Sequence, residues 1–323
     1  MKKSYRDAGF FDTIPPMNDL VIIGGGPAGV AAGVYAARKQ LKTVLITKEW
    51  GGQSSVSTDI QNWIGTILIS GEDLAKALKA HLEAYKDGYV EVIDGTLANK
   101  VEKKDGGFLV ETDDGKSFES KTVLICAGAD RRKLEVPGAK EFDQKGLTYC
   151  ASCDGPLFSG QDMVVIGGGN AGFETAAQLL AYAKSVTLLH RGPQFKADPV
   201  TVEKVLKNPK MTAILNAETV EVKGDKFVNG LVYKDKESGE NRELAVTGVF
   251  VEIGLVPNTS FVEGLLEMDK IKRIKVDGKN QQTSVPGIWA AGDCTDELYH
   301  QNNIAAGDAV KALEDIYNHL HAR

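Results

Sequence analysis

The chain of 323 residues carries 38 Lys+Arg against 44 Asp+Glu, a formal net charge of −6, so it has no basic footprint for nucleic acid or anionic lipid. With 42% hydrophobic and 25% charged residues it has the makeup of a globular protein of about two domains. Four cysteines in this length make no disulfide scaffold, and the opening MKKSYRDAGFFDTIPP lacks the apolar stretch of a signal peptide or anchor, so a reducing, cytoplasmic setting is expected.

In chain order, Leu20 to Ile23 reads as a buried strand running into Gly24-Gly25-Gly26-Pro27-Ala28-Gly29. The same break makes Leu20 to Ala37, the longest uncharged stretch, unfit to span a membrane. A helix is expected from Val30 to about Gln40 and a strand from Thr43 to Thr47. Phe108 to Thr112, the turn Asp113-Asp114-Gly115-Lys116 and the strand Thr122 to Ile125 predict a hairpin and a closing strand. The pattern then repeats, with a strand Met163 to Ile166, the turn Gly167-Gly168-Gly169-Asn170-Ala171-Gly172, a helix Phe173 to Ala183 and a strand Val186 to Leu189. A second hairpin, Leu231 to Tyr233 and Glu243 to Val246, precedes a closing strand in Gly248 to Gly254. The tail holds a strand, Gly287 to Ala291, and a helix from about Asn303 to Leu320. Each copy is a β-turn-α-β unit, which demands a parallel sheet with a right-handed crossover. The fold class is therefore α/β with two Rossmann-like dinucleotide-binding domains, the second inserted in the first. Residues 1–130 and 255–323 are expected to form one domain and 131–254 the other. No role is assigned to Lys2 to Pro16.

A GxGxxG match alone is weak, but here each follows an apolar strand and opens a helix. Gly24 and Gly167 allow the tight turn, Gly26 and Gly169 let a pyrophosphate approach the backbone, and Gly29 and Gly172 let helix and strand pack closely. Unpaired N–H groups at the two helix starts favour the phosphates. Two bound dinucleotides are expected. In the first copy Glu49 is the one nearby acid for a ribose; in the second the strand ends Leu188-Leu189-His190-Arg191 with no acid. A cation in that place favours a 2′-phosphate, hence NADPH over NADH, although His190 and Arg191 also read as solvated strand-end residues.

Tyr149-Cys150-Ala151-Ser152-Cys153-Asp154-Gly155 sets two thiols at a spacing that closes a small redox ring. A zinc half-site is the rival, but no second Cys or His pair stands at a suitable spacing, and no metal is expected. Asp154 reads either as a proton donor for the dithiol or as a turn former before Gly155. Cys126 and Cys294, by strand ends among small residues, read as buried inert thiols.

Taken together, GGGPAG, Gly51-Gly52-Gln53, CASCDG, GGGNAG, Gly254-Leu255-Val256-Pro257-Asn258-Thr259 and Gly292-Asp293-Cys294 resemble the low-molecular-weight thioredoxin reductases and their relative, the flavoprotein subunit of alkyl hydroperoxide reductase. The likeness runs from about Asn18 to His319. It implies a pyridine nucleotide-disulfide oxidoreductase whose FAD domain is interrupted by an NADPH domain carrying the disulfide. Gly24, Gly26, Pro27, Ala28 and Gly29, with Gly51, Gly52, Gln53 and Asn62, are then flavin contacts. Gly292 and Asp293 take a ribityl or ribose hydroxyl, and Gln301 lies beside the flavin ring. The helix from about Asn302 aims its positive end at the flavin. Gly167, Gly169, Asn170, Gly172, His190, Arg191 and Lys196 serve the nicotinamide cofactor. By the same resemblance Cys153 meets the flavin, Cys150 attacks the partner's disulfide and Asp154 is the acid.

The family's basic motif reads His-Arg-Arg with a further Arg; here His190-Arg191-Gly192 and Lys196 remain, which softens the NADPH preference. Gly155-Pro156-Leu157-Phe158, Lys196-Ala197-Asp198 and Cys294 lean toward the peroxide-system flavoprotein, while the first strand at Leu20 leaves little chain for that protein's N-terminal thioredoxin-like part. His300 stands where the family has Arg or Lys. The expected partner is thioredoxin or a thioredoxin-like protein, and the expected assembly a homodimer. Rival readings are a donor to a peroxiredoxin- or glutaredoxin-like protein, a ferredoxin-dependent reductase, and a flavin-bound sensor. Because nucleotide and disulfide share one inserted domain yet serve one flavin, rotation is expected at hinges near Ala129-Asp130-Arg131 and Gly254-Leu255.

Overall fold

The computed structural model describes residues 17–57, 60–86 and 88–321, so the opening segment Lys2 to Pro16 lies outside the described residues. The chain starts with β1 (Asn18–Gly25), α1 (Pro27–Arg38), β2 (Thr43–Trp50), α2 (Gly71–Glu83) and β3 (Val90–Asp94). These three strands run parallel in the order β3-β2-β1. Leu20, Val21, Ile22 and Ile23 of β1 are all buried, the mark of a central parallel strand covered on both faces. An antiparallel meander of β4 (Ala98–Lys104), β5 (Gly107–Thr112) and β6 (Ser117–Ile125) continues the sheet, and β6 pairs parallel to β1.

β7 (Ala129–Arg131) leads out of this sheet, and β8 (Leu147–Thr148) and α3 (Ala151–Asp154) follow. The second unit is β9 (Asp162–Ile166), α4 (Asn170–Leu179), β10 (Ser185–Leu189), α5 (Pro199–Leu206) and β11 (Met211–Ile214). It continues with β12 (Ala217–Gly224), β13 (Val228–Asp235), β14 (Asn241–Leu244) and β15 (Gly248–Val251). Its parallel sheet has the order β11-β10-β9-β15-β8. One difference between the two copies is that the second meander, β12-β13-β14, forms a sheet of its own.

β16 (Leu255–Pro257) then pairs antiparallel with β7, Arg131 opposite Leu255, so both crossings of the chain run through one two-stranded ribbon. β17 (Ile288–Ala290) returns to the first sheet beside β6, and α6 (Asn302–His321) packs over α1. Trp289 of β17 is fully buried and donates its indole N–H to Asp315 of α6 at 2.9 Å. Each parallel sheet carries its own apolar layers on both faces, with Leu20, Leu45, Leu124 and Leu313 on one face of the first and Phe173, Leu188 and Phe250 on one face of the second. A fully buried aliphatic side chain stabilises such a layer by about 1.5–3 kcal/mol.

Two helices escape the hydrophobic reading in chain order although their signals are present. Ser70 caps α2 by accepting from the Asp73 N–H, and Leu74, Leu78 and Leu82 form its buried stripe. Asp198 caps α5, with Pro199 at the first helical position. α1 and α4 begin three residues earlier than the apolar periodicity suggests, at Pro27 and Asn170, because each glycine turn is itself the helix start. No helix among the described residues is long and apolar enough to cross a membrane.

Candidate functional site

The three glycines of each turn meet three different surroundings. Gly24 and Gly167 have φ of +121° and +135°, and a Cβ there would strike the carbonyl of Cys126 or of Glu252. At Gly29 and Gly172 a Cβ would lie 1.8 and 1.9 Å from the carbonyl oxygen of Gly24 and of Gly167, so only hydrogen lets the helix sit on its strand. The middle glycines are open. A Cβ at Gly169 meets nothing within 4 Å, and one at Gly26 comes no nearer than 3.9 Å to Gly52. Both helices start on a glycine cap with no side-chain hydrogen bond and no acidic residue in the first turn. Their first N–H groups have no side-chain acceptor, which suits a pyrophosphate. Pro27 and Ala28 are buried in the first turn of α1, Ala28 against Gly292, whose φ is +79°.

Residues about 240 positions apart converge above the first turn. Gln53 donates to Asp293 at 3.1 Å, Asn62 to Gln301 at 3.2 Å, and the Ser54 hydroxyl to Asn302 at 2.9 Å. Asn303 donates to the Asn62 carbonyl at 2.7 Å. Gly51 and Gly52, both at positive φ, turn the chain into this group, and the Gly51 N–H donates to the Gly25 carbonyl at 3.0 Å. His300 Nδ1 lies 3.4 Å from the Asp293 carboxylate. Sequence reasoning named Gln53, Asn62, Asp293 and Gln301 but missed Ser54, Asn302 and Asn303. Single polar residues in loops carry no periodic signal, and only the fold shows that they face each other. Glu49 is exposed at the end of β2.

At the second turn the basic residues differ in their surroundings. The His190 imidazole is buried beneath Gly168 and beside Phe195, with Nε2 lacking a hydrogen-bond partner. Burial, with the nearby positive Lys196 and Arg191, moves its pKa below the ordinary histidine value. His190 thus packs against the turn and is not a solvated strand-end residue. Arg191 and Lys196 are exposed and remain the two positive groups there. The Lys196 N–H donates to the Gly168 carbonyl at 2.7 Å, and the Asp198 N–H to the Asn170 side-chain oxygen at 2.8 Å. Asn170 therefore helps to dock this basic loop on the turn.

Cys150 and Cys153 form a disulfide, their Cα atoms 5.3 Å apart, and both residues are partly exposed. Cys150 caps α3, its sulfur accepting from the Cys153 N–H at 3.2 Å. Asp154 is buried and its carboxylate accepts from the Thr148 hydroxyl. The short helix packs on α4, the helix that the second glycine turn opens. Cys126 and Cys294 are free and buried; burial pushes the Cys294 thiol up to about 12 and that of Cys126 well above its ordinary value. Both are inert thiols at neutral pH.

The family model of the pyridine nucleotide-disulphide oxidoreductases matches residues 18–309. A Bacillus subtilis protein named NADH dehydrogenase is 42% identical over 317 residues, which are 98% of this chain and 61% of that protein. The F component of the Escherichia coli alkyl hydroperoxide reductase is 42% identical over 306 residues, 94% of this chain and 58% of that one. The chain thus spans less than two thirds of the length of these curated relatives. Among solved structures, thioredoxin reductase from Streptococcus pyogenes matches with a TM-score of 0.87 at 36% identity, covering 95% of this chain and 99% of that one. Agreement of this extent, in sequence and in backbone alike, makes the chain a member of the pyridine nucleotide-disulphide oxidoreductase family, whose cofactors are FAD and NADPH.

Proposed function

We propose that the chain is a disulfide reductase that takes electrons from NADPH and delivers them, by way of FAD and the Cys150–Cys153 pair, to thioredoxin or a thioredoxin-like protein. The observation that carries this reading is a partly exposed disulfide on a short helix packed against α4, the helix of one dinucleotide turn, while the residues suited to a flavin gather at the other turn. FAD, when bound, supplies a carrier able to receive a hydride and return two electrons to a disulfide. Gly24, Gly26 and Gly29 cradle its pyrophosphate, and Gln53, Asn62, Asp293 and Gln301 hold its polar edge. Gly167, Gly169, Gly172, Arg191 and Lys196 hold NADPH.

Two electrons and two protons convert the Cys150–Cys153 bond into two thiols. Cys150 passes its proton to the Asp154 carboxylate, which Thr148 holds in place, and as thiolate attacks the partner's disulfide to form a mixed disulfide; the partner sulfur that leaves takes that proton from Asp154. The Cys153 sulfur then attacks Cys150 in the mixed disulfide, the Cys150–Cys153 bond re-forms, and the second partner sulfur leaves with the Cys153 proton. Residues 131–254 form the body that carries both nucleotide and disulfide, and residues 1–130 with 255–323 the flavin body. The ribbon of β7 and β16 is the hinge between them. The working protein is a cytoplasmic homodimer.

A second reading, a thioredoxin-like module of a peroxide-reducing system as partner, draws on the 42% identity to the F component of alkyl hydroperoxide reductase. Anaerobic stopped-flow separates the readings. NADPH should bleach the visible flavin band faster than NADH does, and oxidised thioredoxin should restore it. Cys150→Ser and Cys153→Ser should keep the bleaching and lose the return. No bleaching by either nucleotide refutes the reading, and bleaching with no return on thioredoxin moves the partner to the second one.

A further inference from the structure

The segment that leaves the ribbon grips the residue before the first redox cysteine. Arg131, the last residue of β7, donates from Nη1 to the main-chain carbonyl of Tyr149. Lys133 Nζ lies 4.2 Å from the centre of the Tyr149 ring, fixed there by Asp143 at 2.9 Å. The Leu134 N–H donates to the phenolic oxygen at 3.4 Å. Tyr149 is therefore buried and held at carbonyl, ring and hydroxyl, and Cys150 follows it directly.

The same Arg131 also faces Glu252, Nη1 to Oε2 at 3.7 Å. The other Glu252 oxygen accepts from Thr175 of α4 at 2.9 Å. Glu252 directly follows β15, and its main-chain carbonyl is the atom that a side chain at Gly167 would strike. One guanidinium thus joins three places: the ribbon, the start of the redox segment and the nucleotide turn. A carboxylate this buried is costly to hold, and such pairs fix an arrangement more than they add stability.

We propose that Arg131, acting with Glu252, is a positioning residue for the redox disulfide: it locks the Cys150 segment to the ribbon, so that disulfide and nucleotide turn move as one body. This rests on the disulfide reductase reading. Its consequence is that loosening Arg131 blurs where the disulfide arrives, while the nucleotide and flavin sites themselves stay intact.

The test uses FAD-loaded enzyme with two acceptors under NADPH. Ferricyanide takes electrons from reduced flavin without the cysteines, and oxidised thioredoxin requires them. Arg131→Met, which keeps the aliphatic stem, should leave ferricyanide reduction within about twofold and lower kcat with thioredoxin roughly tenfold, about 1.4 kcal/mol. KM for thioredoxin should move less than kcat. Glu252→Gln should act in the same direction, and the double variant should be no worse than Arg131→Met, because both act through one contact. Arg131→Lys should restore part of the rate. Equal loss in both assays, no loss with thioredoxin, or strictly additive losses would overturn the proposal. If Arg131→Met does not fold, the near-isosteric Glu252→Gln carries the same comparison. Wild-type enzyme that reduces ferricyanide but no disulfide would instead overturn the underlying reading.

Discussion

Alanine at two glycines of one turn should have very unequal effects on stability. At Gly172 the new Cβ would lie 1.9 Å from the Gly167 carbonyl oxygen, whereas real Cβ atoms stay at 3.0 Å or more, so α4 must retreat by 3.0 − 1.9 = 1.1 Å. Overpacking of this kind costs about 1–3 kcal/mol and draws the helix N–H groups away from the phosphates. Gly169 has φ −96° and ψ −176°, extended backbone open to any residue, and no atom within 4 Å of its Cβ. Alanine there restricts the unfolded chain, a gain of about 0.4–1 kcal/mol, but is a poorer N-cap than glycine by a similar amount, so stability should hardly change. The methyl nevertheless stands where the pyrophosphate approaches, and KM for NADPH should rise roughly tenfold or more, about 1.4 kcal/mol of binding. Thermal unfolding of the two variants and NADPH titration of flavin reduction read both quantities. Gly169→Ala that binds NADPH like wild type would refute the assignment of that open space, and Gly172→Ala with unchanged melting would refute the close-packing argument.

Three further outcomes follow from the charges and thiols. Arg191→Ala with Lys196→Ala should raise KM for NADPH roughly tenfold or more while leaving NADH within about twofold, since each contact between a cation and phosphate contributes about 1.5–3 kcal/mol; equal changes for both nucleotides would remove them from the 2′-phosphate site. Burial pushes the Glu252 carboxyl above the ordinary range, so the native state holds that proton more tightly than the unfolded chain. Its contribution is full below the unfolded value near 4.5 and is lost as pH rises through the folded value; denaturant titrations should show Glu252→Gln flattening that decline, and a parallel decline in the variant would count against it. Titration of the reduced native protein with an aromatic disulfide reagent should find the two thiols of Cys150 and Cys153, and all four cysteines only in denaturant; early reaction of Cys126 or Cys294 would contradict their burial.

Much of this molecule is legible before any coordinates, for a physical reason. A strand that ends in glycines and opens a helix needs three small residues at set positions, and Gly24-Gly26-Gly29 and Gly167-Gly169-Gly172 state that need locally. The disulfide is local too, Cys150 and Cys153 being one helical turn apart. What escapes is nonlocal. Ser54 and Asn302 are 248 residues apart and meet only because β17 returns the tail to the first sheet. His190 reads as a solvated strand-end residue in a string of letters, yet its ring lies buried beneath Gly168. Nor does anything near Glu252 foretell Arg131, which reaches it only once β7 and β16 lie side by side.

The narrowness of that ribbon has a further consequence. Arg131 and Leu255 are direct partners across a two-stranded sheet, about 5 Å apart, so the long excursion between them begins and ends at nearly one point. A piece of chain attached in this way behaves like a plug in a socket. Exchanging it for another of different specificity, or cutting it out and bridging the scar by a short turn, should leave intact the sheet that β6 and β17 complete, which thermal unfolding of such a variant would check.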